Sequence, residues 1–92
     1  MLTLTYTSQF KRDMKRIRKR RYDTHLVDIL LEKLRNEEIL DESYQDYPLK
    51  GKYRGFRECH VRPYWLLIYI IKENELVLTA SRTGTHSDVF NE

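Results

Sequence analysis

The sequence predicts an α+β fold, in which a small antiparallel β-sheet packs against an N-terminal two-helix hairpin and a short helical tail closes the chain. Three observations predict it. Tyr64 to Ile71 is a run of eight apolar or aromatic residues, too short to span a bilayer and rich enough in Ile, Tyr and Trp to favour a central strand. Polar breaks on either side of it, Arg62-Pro63 and Glu73-Asn74, set it between two further strands as hairpins. Upstream, apolar residues recur at helical spacing in two successive segments, with the more N-terminal one covered in cations.

Taken in order, Leu2, Leu4 and Tyr6 alternate with threonines, as in a half-buried first strand. Thr7 or Ser8 then caps a helix whose Phe10, Met14 and Ile17 fall at i, i+4 and i+7. Asp23 or Thr24 caps a second helix, with an apolar face of Leu26, Ile29, Leu30 and Leu34 and with Val27 and Leu31 beside it. Glu37 to Asp46 is acidic and without periodicity, so it reads as the helix end and a loop. Pro48-Leu49-Lys50-Gly51 is a turn, and a polar strand carrying Arg57-Glu58-Cys59-His60 leads into the central run. The last strand ends in Arg82-Thr83-Gly84-Thr85-His86.

Ninety-two residues make one domain, residues 1–92, near the lower size at which a core suffices without crosslinks. The lone Cys59 cannot form an internal disulfide, and its alternation with Glu58 and His60 places it on the opposite strand face, as a buried apolar group. No C-x-x-C or H-E-x-x-H spacing occurs, so neither a metal nor another cofactor is expected. The N-terminus lacks a charged, then apolar, leader pattern, and no segment approaches about 18 apolar residues, which points to a soluble cytoplasmic protein without membrane attachment.

Net charge is +3, but eight of the seventeen basic residues fall between Lys11 and Arg21. Lys11, Arg12, Lys15, Arg18 and Lys19 cover the solvent side of the first helix and make a local positive field that attracts phosphate backbones through counterion release. A solvated helix face accounts for the same cluster equally well.

Even-numbered loops at the two hairpins would point His60 and Trp65 to one face, and a two-residue Glu73-Asn74 turn would set Arg82 opposite Trp65. Glu58, two residues before His60, shares that face roughly 7 Å away. A base, an aromatic ring and a cation would then form a row, provided that the loop at Pro63 keeps its parity.

Pro48-Leu-Lys-Gly51, Arg57-Glu-Cys-His60-Val, Trp65-Leu-Leu-Ile-Tyr69 and Arg82-Thr-Gly-Thr-His86 through Phe90 together resemble the YafQ type of bacterial toxin, within the RelE/ParE superfamily. The resemblance spans nearly the whole chain. It implies the RelE-like fold and a ribosome-dependent mRNA endoribonuclease, a toxin of a type II toxin-antitoxin system held in check by a cognate antitoxin. It also implies that His60, Trp65, His86 and Phe90 belong to the site, with Glu58 where an aspartate is usual. Tyr47 occupies the place of a histidine and Tyr64 that of an aspartate, so two groups of the family pattern are replaced by phenols with pKa about 10.

The chemistry explains such residues. Cleaving RNA through its own 2′-hydroxyl takes a base for that hydroxyl, an acid for the departing 5′-oxygen and positive donors for the added charge. His60 and His86, with reference pKa near 6.5, suit both proton roles, each typically worth about 10² to 10⁴ in rate. Arg82 supplies charge or else pairs with a carboxylate. Trp65 and Phe90 offer faces for a splayed base or else pack the core and anchor the tail. Lys50, Lys52 and Arg54 join the helix cations as contacts for ribosomal RNA and message. The competing reading is a non-catalytic binder like the gyrase-inhibiting ParE branch, which needs no proton-transfer groups at its strand ends.

Overall fold

The computed structural model describes residues 1–91 and arranges them as β1 (Thr3–Tyr6), α1 (Ser8–Lys19), α2 (His25–Arg35), β2 (Tyr47–Pro48), β3 (Arg57–Arg62), β4 (Trp65–Lys72), β5 (Val77–Gly84) and α3 (His86–Phe90). The strands form one sheet in the order β1-β5-β4-β3-β2. The apolar run is therefore central, as its composition requires, and the fold class is the expected α+β.

The capping chemistry explains where the helices begin. Thr7 accepts the Phe10 N–H at 3.0 Å and donates its hydroxyl to the Ser81 carbonyl at 2.7 Å, so one residue both starts α1 and ties it to β5. At α2 both candidates take part. Thr24 occupies the cap position without a side-chain bond, while the Asp23 carboxylate accepts the His25 N–H at 3.2 Å. Phe10 and Ile17 from α1 and Val27, Leu30, Leu31 and Leu34 from α2 pack on Cys59, Val61, Trp65, Leu67, Tyr69, Leu78 and Ala80. Ile29, expected on the α2 core face, is 38% exposed instead. The buried stripe runs through Val27, Leu30, Leu31 and Leu34, a regular i, i+3, i+4, i+7 set that leaves Ile29 to one side.

Two features depart from an all-antiparallel sheet after a plain turn. β1 runs parallel to β5; no hairpin joins these strands, so turn geometry does not fix their relative direction. Tyr47 and Pro48, expected before and within a turn, form a two-residue strand antiparallel to β3, at the sheet edge where a proline costs no ladder bond.

The register decides what faces what. Between β3 and β4 the pairing is Cys59 with Leu67 and His60 with Leu66, then Arg62 with Trp65, an irregularity that inserts one residue at the end of β3. The β4–β5 loop is Glu73 to Leu76, with Lys72 opposite Val77, rather than a two-residue turn. A second irregularity shifts Arg82 opposite Ile68. The expected row is thus corrected: His60 and Glu58 share the face away from α1 and α2, Trp65 lies on the helix face, and Arg82, opposite Ile68, reaches back to Asp13 of α1. One inserted residue turns every side chain before it to the other side.

Candidate functional site

Two short segments bound the face opposite α1 and α2. One is the turn after β2, where Gly51 takes a φ of 66° and Gly51–Tyr53 forms a single 3₁₀ turn. The other is α3. Tyr53 and Phe90 meet edge to face with ring centroids 5.2 Å apart, and the His86 ring lies 5.2 Å from that of Phe90. His86 is exposed at the first position of α3, and Lys50, Lys52 and Arg54 are exposed around the facing turn. The structure therefore brings His86 and Phe90 together with this cationic turn.

On β3, Glu58 is only 1% exposed and accepts a short hydrogen bond from the Tyr47 hydroxyl. That bond, reinforced by burial, pushes the Tyr47 phenol up to about 12, so it remains a protonated donor at neutral pH. His60 is half-buried and lines a cavity of about 330 Å³ with Ser43, Tyr44, Gln45 and Arg62. Its Nδ1 is buried and has no hydrogen-bond partner among the described residues.

Three expected site residues sit otherwise than expected. Trp65 is 1% exposed, donates its indole N–H to the Thr83 hydroxyl at 2.8 Å and packs 5.1 Å from the Tyr22 ring. It offers no face to a base, because the register irregularity in β3 separates it from His60. Tyr64 is 58% exposed at the β3–β4 turn and touches Tyr22 edge-on, on the side of the helix connection. Arg82 does not stand free for phosphate. Its Nε donates to Asp13 at 2.8 Å, and its Nη groups reach Asp13, the Asp88 carbonyl at 3.1 Å and the Val89 carbonyl at 3.4 Å.

Asp13, Asp88, Arg16 and Arg20 were not among the expected site residues. Asp13 is fully buried in α1, and its charge is satisfied by Arg82, by the Thr83 N–H at 3.1 Å and by Gln9 at 3.0 Å. Asp88 closes a capping box with Thr85, accepting the Thr85 N–H at 2.9 Å while Thr85 accepts the Asp88 N–H at 3.2 Å. Arg20 grips the Asp88 carboxylate with two bonds of 2.6 and 2.9 Å, and Arg16 adds a contact of 3.2 Å. The Arg20 bonds hold the Asp88 carboxyl well below the usual carboxylate range. The Thr-x-x-Asp spacing was the readable signal for the box; its basic partners, on another helix, left none.

The remaining cations of α1, Lys11, Arg12, Lys15, Arg18 and Lys19, are exposed, and none makes an ion pair among the described residues. Cys59 is fully buried, and burial raises its thiol pKa far above the ordinary value, as for an apolar core group. No described helix is long and apolar enough to cross a membrane.

Comparison with known proteins places this arrangement among relatives. The family model described as "Bacterial toxin of type II toxin-antitoxin system, YafQ" matches residues 2–91. The chain is 38% identical over 88 residues to the mRNA interferase toxin YafQ of Escherichia coli K12, covering 95% of this chain and 94% of the relative. In structure it is similar to a metal-bound toxin from Helicobacter pylori, 40% identical with a TM-score of 0.92, covering 98% of this chain and 100% of that one. It is also similar to the toxin in the E. coli DinJ-YafQ toxin-antitoxin complex, 36% identical with a TM-score of 0.86, covering 97% of each chain.

Proposed function

We propose, from the premise that the chain belongs to the YafQ family of type II toxin-antitoxin toxins, that it is an mRNA interferase acting in the cytoplasm on message held in the ribosome and silenced by a cognate antitoxin. The carrying observation is that the family match runs through every segment of the site, from β1 to α3, at 38% identity to a named interferase.

In this reading the RNA 2′-hydroxyl attacks the adjacent phosphorus. The new bond is 2′-O–P and the broken one is P–O5′, leaving a 2′,3′-cyclic phosphate and a free 5′-hydroxyl. One histidine takes the 2′ proton and the other gives a proton to the 5′ oxygen. His86 is exposed on α3, and His60 lines a separate cavity with Tyr44 and Arg62. Lys50, Lys52 and Arg54, on the turn that meets Phe90 through Tyr53, are the cations placed to meet the phosphorane's charge, in place of Arg82, which Asp13 engages. Phe90 is the one expected stacking ring on this side, since Trp65 is buried in the core. Glu58 acts through Tyr47, holding its hydroxyl in one orientation beside the site. The exposed cations of α1 grip RNA backbone.

The test is mapping of message 5′ ends in a translating extract with wild-type, His86→Ala and His60→Ala protein. New ends should appear with wild type and fall by more than about a hundredfold with either variant, as loss of a proton-transfer group implies. Wild-type cleavage by both variants at equal concentration would remove the site assignment. Loss of DNA supercoiling without new RNA ends would establish the gyrase-binding reading instead.

A further inference from the structure

The basic run of α1 has two roles, because Arg16 and Arg20 turn inward to α3 while the other cations face solvent. α3 spans only His86–Phe90, far too short to hold a helical shape by its own backbone bonds. It buries Val89 and seats Phe90 against Tyr53, while His86 at its first position is exposed. Polar contacts hold it at both ends as well. At the start, the Asp88 carboxylate caps Thr85 and is gripped by Arg20 and Arg16. At the finish, Arg82 donates to the Asp88 and Val89 carbonyls while anchored on buried Asp13. The backbone is shaped for this seat: Gly84 has a φ of 147°, and a Cβ there would lie 2.8 Å from that of Asp88.

We propose that Asp88, clamped by Arg16 and Arg20, is a positioning residue for the cleavage reaction, fixing the α3 frame on which His86 and Phe90 are carried. The inference rests on the reading that His86 takes part in cleavage. Asp88 touches no reacting atom; it sets where the imidazole two residues before it is held. A displacement of about 1 Å in such a group costs on the order of a hundredfold in rate. Arginine at position 20 is specific to this clamp, because a planar fork makes two parallel bonds to a carboxylate and an ammonium does not.

The experiment measures kcat and KM for cleavage of message on programmed ribosomes by wild type, Asp88→Asn, Asp88→Glu, Arg20→Lys and His86→Ala, with ring resonances of His60, His86 and Phe90 followed by NMR. Asp88→Asn should lower kcat by about ten- to a hundredfold with KM within about twofold. Asp88→Glu, which keeps the charge and a box-forming side chain, should recover most of it. The milder Arg20→Lys, at a half-exposed position, should give an intermediate loss and shift the His86 and Phe90 resonances while leaving His60 in place. If His86→Ala is inactive yet Asp88→Asn keeps wild-type kcat and Arg20→Lys leaves the α3 resonances unmoved, the positioning role is overturned and the site assignment stands. If His86→Ala cleaves like wild type, the site assignment itself falls, and the catalytic meaning of the clamp with it.

Discussion

At the scale of single residues, the phenol at position 47 is bound to a carboxylate withdrawn from water. Glu58 is buried and accepts from Tyr47, so Tyr47→Phe strands a buried acceptor, at a cost of about 1–3 kcal/mol. The denaturant midpoint should fall accordingly, and cleavage should drop only a few-fold, because the proton-transfer groups remain. An unchanged midpoint would mean that the bond contributes nothing in solution. A rate loss equal to that of His86→Ala would make the phenol the proton donor itself. Gly84 is the other decisive single position. With φ 147° and Asp88 in the way of any Cβ, Gly84→Ala incurs both backbone strain and a clash, about 1–3 kcal/mol together. A melting temperature within a degree of wild type, with α3 still protected from proteolysis, would contradict the seat described for Asp88.

At the scale of elements, α1 presents five exposed cations on one side, while Arg16 and the C-cap residue Arg20 are engaged with Asp88. Replacing Lys15, Arg18 and Lys19 by Gln should weaken ribosome binding and flatten its logarithmic salt dependence by about one per lost phosphate contact. An unaltered slope would make this side of the helix merely solvated. Much of the element plan was legible: the central strand from its β-branched apolar run, α1 and α2 from their stripes, and the start of α1 from Thr7. The fate of Trp65 was not. It depends on one inserted residue between His60 and Arg62, and nothing in His60-Val61-Arg62 distinguishes a bulged strand end from a regular one. The parallel pairing of β1 was equally hidden, since long-range strand direction has no local signature. Asp13 left no signal in the sequence, because its partner Arg82 lies 69 residues away.

At the scale of the whole molecule, the sheet separates two environments: an apolar core under α1 and α2, and an opposite face where Leu66 and Ile68 are also buried but where His60 and the exposed cations of the Lys50–Arg54 turn lie. An acidic antitoxin segment would meet that second face with complementary charge, so association should slow as salt rises. Rates that ignore ionic strength would point to a mainly apolar clasp. Acid should act on the same face through Asp88. Its folded pKa is depressed by Arg20, so its stabilising contribution is complete above the unfolded value of about 3.9 and is lost as pH falls towards the lower folded value. Between pH 6 and pH 3 the wild-type melting temperature should therefore fall further than that of Asp88→Asn. Parallel curves would show that the carboxylate is not preferentially ionised in the folded state.

The pairing of β1 with β5 has a consequence for synthesis. Thr5 and Thr79 bond across 74 positions of sequence, so a nascent chain makes its first strand long before that strand's neighbour exists. The same late stretch carries His86 and Phe90 of the proposed site. A partly translated chain therefore has neither a closed sheet nor, on that proposal, a complete site. On the proposed site, a nascent chain gains activity only once its final strand has emerged, which leaves an interval for an antitoxin to engage it first.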